Sequence, residues 1–128
     1  MGSKMRHWIV CHNPHPIPDT HAWHIFYKER PATRPSDGDR VLFYETQARF
    51  AGRKHFGRKG IVSEAHVSGK IKEMRPIGDW KFELACVGHQ QIFIPLEQIR
   101  LFISQPFYRR NLTAISATEY RQLIELVR

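Results

Sequence analysis

The chain of 128 residues contains only two cysteines, Cys11 and Cys86, and no long apolar run. Two cysteines this far apart do not suggest a disulfide framework, and each lies in an apolar stretch that favours a buried, reduced thiol. No stretch approaches the about 20 apolar residues that span a bilayer, and no signal-peptide pattern opens the chain. We therefore expect a cytoplasmic protein with no membrane contact.

The sequence also lacks the short motifs that usually indicate catalysis. It has no G-x-S-x-G, no phosphate-binding glycine motif and no paired carboxylates. Eight histidines raise the alternative of a metal site, because His12 and His15, and likewise His21 and His24, are three residues apart. The cysteines that would complete a zinc site are missing. We expect no enzymatic activity, no metal and no cofactor.

Hydrophobic patterning predicts one strand-rich domain over residues 5–128, with residues 1–4 as an expression remnant. Strands are expected at residues 7–11, 40–46, 60–67, 80–87 and 91–95. The apolar segment 96–103 is assigned neither to a helix nor to a strand. Helical spacing predicts a helix over residues 20–30, and Ser116 with Glu119 has the capping-box spacing that begins a final helix. Short strands with Gly and Pro connections favour a closed or nearly closed barrel of five or six strands.

A strongly basic segment, ARFAGRKHFGRK, separates the strands expected at 40–46 and 60–67. Gly52 and Gly57 would be enough for a turn, so its cations need another explanation: Arg49, Arg53, Lys54, Arg58 and Lys59. Lys and Arg number 20 against 12 Asp and Glu, with a pI near 9.9, which indicates a polyanionic partner. The alternative is a solvated loop whose charge aids solubility.

Five quoted stretches resemble the EVE domain of the PUA-like superfamily, which is related to the YTH readers of methylated adenine. They are HWIVCHN, GDRVLFYET, RKGIVSEAHV, FIPLEQI and LTAISATEYRQLIELV, and in this order they are distributed along the chain from residue 7 to residue 127. The GD-apolar-apolar-FY element is moderately specific and the others are weak alone. The sequence departs from the family pattern between Lys28 and Pro35, and in the length and charge of the basic segment.

The resemblance implies an α+β, PUA-like small β-barrel with flanking short helices and a pocket for a base turned out of its strand. EVE domains are associated with modified bases in DNA or RNA. They are often the sensor modules of modification-dependent restriction systems, which implies a separate nuclease or effector protein as a partner. Phosphates beside the base would then contact the basic segment, with Phe50 or Phe56 as the wedge. Arg109 and Arg110 would extend this surface.

A flipped base needs aromatic walls. Trp23 is the first candidate, with core packing as its alternative, and Trp80 is a candidate for the opposite wall. Trp8 lies in an apolar strand and is expected in the core. Tyr44 and Phe43 are neighbours on one strand, so their rings point to opposite faces. Tyr44 is the better pocket candidate of the two because of its hydroxyl.

A base also needs polar partners at its edge. His12 and Asn13 follow the first strand, where such a barrel opens, and the Asn13 amide carries both a donor and an acceptor. Its alternative is an Asx-turn before a proline. His24, Glu45 and Thr46 are weaker candidates.

Together these observations predict a non-catalytic reader of a modified base, methylated or hydroxymethylated cytosine or methyladenine, with DNA favoured over RNA. The alternative is a PUA-like module that binds structured RNA by shape and charge. A protein-interaction domain would leave the basic segment unexplained.

Overall fold

A computed structural model describes residues 5–12, 24–47, 57–107 and 111–128. The described strands are β1 His7–His12, β2 Ile25–Tyr27, β3 Arg40–Glu45, β4 Gly60–Val67, β5 Lys72–Ile77, β6 Trp80–Leu84, β7 Cys86–Pro95 and β8 Leu112–Ile115. Two short helices accompany them, α1 Leu96–Ile99 and α2 Ala117–Glu125. The predicted α+β composition is confirmed, with more strands than the five or six expected.

The strands form two sheets. The larger has the order β7-β4-β3-β1-β8, in which β1 and β3 are parallel and the other neighbours antiparallel. The smaller is antiparallel with the order β2-β6-β5. Hydrogen bonding among the described residues does not join the two sheets into one closed barrel.

The two faces of the large sheet carry two separate apolar layers. Strand β3 shows this most clearly: Leu42 and Tyr44 lie in the layer covered by α1 and α2, while Val41 and Phe43 face the small sheet. All four are buried, because β3 is central and both of its faces are covered. The prediction that the rings of Phe43 and Tyr44 point to opposite faces is confirmed.

Two predicted elements are corrected by the structure. Residues 20–30 were expected to be helical, but Ile25–Tyr27 is strand β2, which pairs with β6. Its β-branched and aromatic residues suit a strand once a partner is present, and this long-range pairing overrides the helical spacing. The strand expected at 80–87 is divided at Ala85, where the chain leaves the small sheet and enters the large one.

The segment before β3 is anchored by a buried carboxylate. Asp39 accepts hydrogen bonds from the backbone N–H of Arg6 at 3.0 Å, the backbone N–H of Ser36 at 2.8 Å and the indole Nε1 of Trp8 at 2.9 Å. Trp8 is buried as predicted. The three donors satisfy the carboxylate inside the protein, which explains why a charged group tolerates this position.

Helix α2 begins as its sequence predicts. The Ser116 side chain accepts the backbone N–H of Glu119 at 3.0 Å, and the Glu119 carboxylate accepts the backbone N–H of Ser116 at 2.8 Å. Leu123 and Ile124 are the buried residues of this helix and pack on the large sheet. None of the described helices has the length and apolar character to span a bilayer.

Neither cysteine is in a disulfide; Cys86 is buried, and Cys11, which was also expected to be buried, is partly exposed. The Cys11 thiol donates to the backbone oxygen of Phe107 at 3.1 Å. Burial raises the pKa of the Cys11 and Cys86 thiols to about 12, so both stay protonated at neutral pH.

Candidate nucleic-acid interface

One end of the large sheet collects several of the predicted site residues. In the strand register His12 of β1 is opposite Glu45 of β3, and Glu45 is opposite Gly60 of β4. Glu45 is the last residue of β3 and Gly60 is the first of β4, so the strand ends that flank the basic segment, and its described residues 57–59, lie at this end of the sheet. We call this end of the large sheet the mouth, and define it by His12, Glu45, Thr46, Arg58 and Lys59.

A buried acid holds the returning end of the basic segment at the mouth. One oxygen of Glu45 accepts the backbone N–H of Arg58 at 2.7 Å and lies 3.4 Å from the Arg58 side-chain Nε. The Glu45 side chain is only 5% exposed and that of Arg58 is 41% exposed. Lys59 follows with a positive φ of 55°, unusual for a side chain of this kind. The predicted phosphate-binding residues Arg58 and Lys59 are therefore placed at the mouth.

His12 lies at the same edge, with its ring turned toward the small sheet. Its Nε2 donates to the backbone oxygen of His24 at 3.0 Å, and since a carbonyl only accepts, Nε2 carries the hydrogen. The backbone N–H of Thr46 donates to the His12 carbonyl at 2.8 Å. The His12 ring centroid is 5.4 Å from that of Phe43. These contacts fix the ring at the end of the space between the two sheets.

The ring of His24 is directed elsewhere. Its Nδ1 is 3.3 Å from a Glu83 oxygen, and its centroid is 6.4 Å from that of Phe26. Ile25, between His24 and Phe26, is buried against the large sheet, so strand alternation puts the His24 ring on the outer face of the small sheet. His12 therefore contacts the backbone of His24 and not its ring.

Two aromatic candidates are not grouped with His12. Tyr44 was expected in the pocket, but it is 2% exposed and packs edge-on against Phe107 in the layer under the helices, on the opposite face of the sheet. Trp80 starts β6, four residues before Leu84, which pairs with Ile25. Trp80 is thus about 13 Å along β6 from Leu84, the residue that pairs with the first residue of β2, next to His24.

The other predicted site residues lie outside the described residues. They are Asn13 and Trp23 of the base pocket, Arg49, Arg53, Lys54, Arg109 and Arg110 of the phosphate surface, and the wedge candidates Phe50 and Phe56. Their roles stay predictions. Asn13 directly follows His12 in the chain, and Trp23 directly precedes His24.

Three polar groups of the region between the sheets were missed by the sequence reasoning. The His89 ring is tilted by 34° against the ring of Phe43, with 5.5 Å between centroids, and its Nδ1 is 3.2 Å from the hydroxyl of Ser63, which is completely buried. The Tyr27 hydroxyl is buried and has no hydrogen-bond partner among the described residues. An alternating strand pattern places a residue on a face but does not identify such cross-sheet partners, so no local signal was available.

The described residues contain no group of three His, Cys, Asp or Glu side chains arranged to hold a metal ion. His12, His24 and His89 contact backbone oxygens, aromatic rings, the Ser63 hydroxyl and the carboxylate of Glu83. The chemistry that these side chains offer is hydrogen bonding, ring contact and positive charge.

Three solved structures share this fold over nearly the whole chain. They are ASCH from Zymomonas mobilis (TM-score 0.69, 14% identity), its serine-to-alanine variant (0.70, 16%) and its tyrosine-to-phenylalanine variant (0.69, 13%). Each comparison covers 95% of this chain and 96%, 96% and 99% of the other chains, respectively. No protein-family model and no curated protein matches the sequence.

At these identities the likeness concerns the fold alone. The ASCH fold is PUA-like, so the predicted PUA-like fold is confirmed. Membership of the PUA-like superfamily, and of the EVE family in particular, stays a prediction.

Proposed function

We propose that this protein binds nucleic acid at the mouth and reads a modified base that is flipped out of its strand, without catalysing a reaction. The observation that carries the proposal is the contact of buried Glu45 with Arg58. It holds a cation at the sheet edge where the His12 ring lies, so that a phosphate site and a hydrogen-bonding ring are adjacent. A PUA-like fold supports a nucleic-acid partner in general, and the specificity for a base is the finer part of the proposal.

The energetics require more than one favourable contact. Extruding a base costs a few kcal/mol, and each stack on an aromatic ring returns about 1–3 kcal/mol. His12 can contribute an edge contact, and Trp23, next to His24 in the chain, is the wall predicted from the sequence. Arg58 and Lys59 would bind the phosphates beside the base. DNA carrying the modification is the preferred substrate, with a separate nuclease or effector as a further proposed partner.

The absence of catalysis is also part of the proposal. The only Ser–His contact among the described residues joins Ser63 and His89. The Ser63 hydroxyl has no exposed surface, so it is not accessible to a bulky substrate in this conformation. End-labelled DNA and RNA incubated with the protein and run on denaturing gels should stay intact. A cleaving activity that co-purifies with the folded protein would contradict the proposed absence of catalysis.

The decisive experiment compares short single-stranded and duplex DNA and RNA, each with and without one modified cytosine or adenine, at two salt concentrations. We expect at least about tenfold preference for one modified oligonucleotide, equivalent to about 1.4 kcal/mol. His12→Ala should reduce that preference. Arg58→Ala should weaken binding to all the oligonucleotides alike and make it less salt-dependent, because it removes a phosphate contact. Arg121→Ala, which removes an exposed cation from α2, is the matched control.

A module that binds structured RNA by shape and charge is the second candidate. It is favoured by the exposed cations of the small sheet, among them Lys28, Arg75 and Lys81, which are not needed to hold a single flipped base. In that case folded RNA would bind more tightly than any short oligonucleotide, and base modification would have no effect. This outcome would reject modified-base reading while keeping nucleic acid as the partner.

A further inference from the structure

The exposed positive charge of the described chain is concentrated around the small sheet. Residues 24–34 and 68–83, which form this sheet and its flanks, carry seven Lys and Arg against four Asp and Glu. All seven cations are exposed: Lys28, Arg30, Arg34, Lys70, Lys72, Arg75 and Lys81. The described part of residues 96–128, with both helices, carries three of each sign. A polyanion is therefore attracted to the small sheet and not to the helical side.

One face of β6 leads from the core out to solvent. Leu84, Phe82 and Trp80 alternate along the strand and therefore share a face. Leu84 is 1% exposed, Phe82 is half-buried and Trp80 is 36% exposed, so the sheet extends beyond the apolar layer that it covers. Trp80 pairs with Ile77 of β5, which is 65% exposed. The hairpin end thus presents a large flat ring beside an aliphatic side chain.

Cations already lie over these rings. The Lys28 ammonium is 5.5 Å from the centre of the Trp80 ring, and the Arg30 guanidinium is 4.9 Å from that of Phe82. Lys28 is also 3.8 Å from Asp79, but both side chains are largely exposed, so the pair is weak. An exposed cation–π contact is weaker than the stacking of a nucleobase on tryptophan. A base can therefore replace Lys28 on the ring, leaving the ammonium to bind a phosphate.

We propose that this hairpin end of the small sheet is a second binding site, in which Trp80 stacks an unpaired base of a single-stranded nucleic acid. Lys28, Lys81 and Arg75 bind the phosphates beside that base. The substrate is single-stranded because a duplex hides the faces of its bases from a flat ring. The inference rests on the proposed function for nucleic acid as the ligand. It adds a preference for single strands, which the mouth alone does not specify.

The test uses the whole protein and a fluorescein-labelled, unmodified oligothymidine of about 12 nucleotides. We expect Trp80→Ala to weaken binding of the single strand about tenfold, while Trp80→Phe, which keeps a stacking ring, stays within about threefold of the parent protein. Binding of the same strand annealed to its complement should change in neither variant. Lys81→Ala should weaken binding and lower its salt dependence, and Arg121→Ala should have no effect.

The outcomes separate this inference from the function proposed for the mouth. Unchanged single-strand binding in a folded Trp80→Ala protein would overturn the Trp80 site, even if His12→Ala still altered the preference for a modified base. Equal losses for the single strand and the duplex would overturn stacking. Failure of the parent protein to bind any oligonucleotide would reject both proposals. If Trp80→Ala does not fold, Trp80→Phe against Trp80→Leu decides, since stacking predicts that only the leucine variant loses the single-strand preference.

Polyglutamate, a polyanion without bases, tests whether the ligand of this site is a nucleic acid. Polyglutamate that bound as tightly as the oligothymidine, with the same sensitivity to Trp80→Ala, would overturn nucleic acid as the ligand. We expect polyglutamate to bind more weakly and without dependence on Trp80, because it offers negative charge but no aromatic base to stack.

Discussion

The carboxylate of Glu45 accepts the backbone N–H of Arg58 at 2.7 Å, and this bond links the two strands that the basic segment connects. Glu45 is the last residue of β3, and Arg58 is two residues before β4 begins at Gly60. A nearly buried acid is costly unless it is paired and hydrogen-bonded, and Arg58 supplies both a charge and two donors. The cation at the mouth is therefore part of the folded structure as well as of the proposed site.

Removing this acid should destabilise the protein. We expect Glu45→Ala to lower the free energy of unfolding by about 1–3 kcal/mol, because the Arg58 N–H loses its acceptor. Glu45→Gln keeps an acceptor oxygen and should cost less than half as much. Urea unfolding followed by circular dichroism measures both changes. Equal losses in the two variants would show that the charge, and not the hydrogen bond to the backbone, is what matters.

Asp39 should be more sensitive to substitution than Glu45. Asp39→Asn replaces one of its acceptor oxygens with a donor group, although Arg6, Trp8 and Ser36 all present donors. We expect a loss of about 2–3 kcal/mol in the free energy of unfolding. Trp8→Phe removes one of these donors. In the double variant with Asp39→Asn, the loss in free energy of unfolding should therefore be smaller than the sum of the two single losses. A double variant whose loss equals the full sum would contradict a shared network.

Gly60 has no room for a side chain between β4 and β7. A Cβ placed there would be 2.6 Å from the Ile94 carbonyl oxygen and 2.8 Å from Cε1 of Phe93. Gly60→Ala should therefore cost about 1–3 kcal/mol of stability, measured as a lowered urea midpoint. In a Phe93→Ala background, Gly60→Ala should cost less stability but still a measurable amount, because the Ile94 carbonyl oxygen remains in the way. Full recovery would assign the clash to the ring alone.

Two tyrosines differ in whether their hydroxyls are satisfied. The buried Tyr27 hydroxyl has no partner among the described residues, and burial raises its pKa to about 12. Tyr27→Phe should therefore change the free energy of unfolding by less than about 0.5 kcal/mol, or increase it. Tyr120 donates to the carboxylate of Glu64, so Tyr120→Phe should cost about 1.5–3 kcal/mol. A large loss in Tyr27→Phe would reveal a partner for its hydroxyl.

His7 should make stability depend on pH. Burial lowers its pKa below 6.5, and Arg40 acts in the same direction, while Asp39 opposes them. The unfolded chain therefore binds a proton that the folded protein resists, and the stability present above pH 6.5 is lost as the pH falls below 6.5 and through the lower pKa of His7 in the folded protein. His7→Phe keeps a ring against Tyr120, whose centroid is 4.5 Å away, and removes the titration. Urea unfolding across this range should show a shallower pH dependence in the variant; parallel curves would contradict the assignment.

Local patterns in the sequence were sufficient for part of the fold. Strands β1, β3 and β4 have apolar runs between turn residues, and α2 has its capping box, so each was predicted close to its observed bounds. The opposite faces of Phe43 and Tyr44 follow from strand alternation alone. Strands β5 and β8 were missed. Strand β5 is mostly exposed, and β8 has only four residues, so their existence depends on the neighbours they pair with.

The sequence by itself determined the basic character of this protein, its strand-rich class and the resemblance that pointed to a PUA-like fold, because composition, alternation and caps are local properties. Only the tertiary structure decided that Ile25–Tyr27 is a strand, that Tyr44 is covered by the helices, and that Glu45 holds Arg58 beside His12. These features depend on which distant segments pair and which polar groups are buried together, and no short stretch of sequence contains that information.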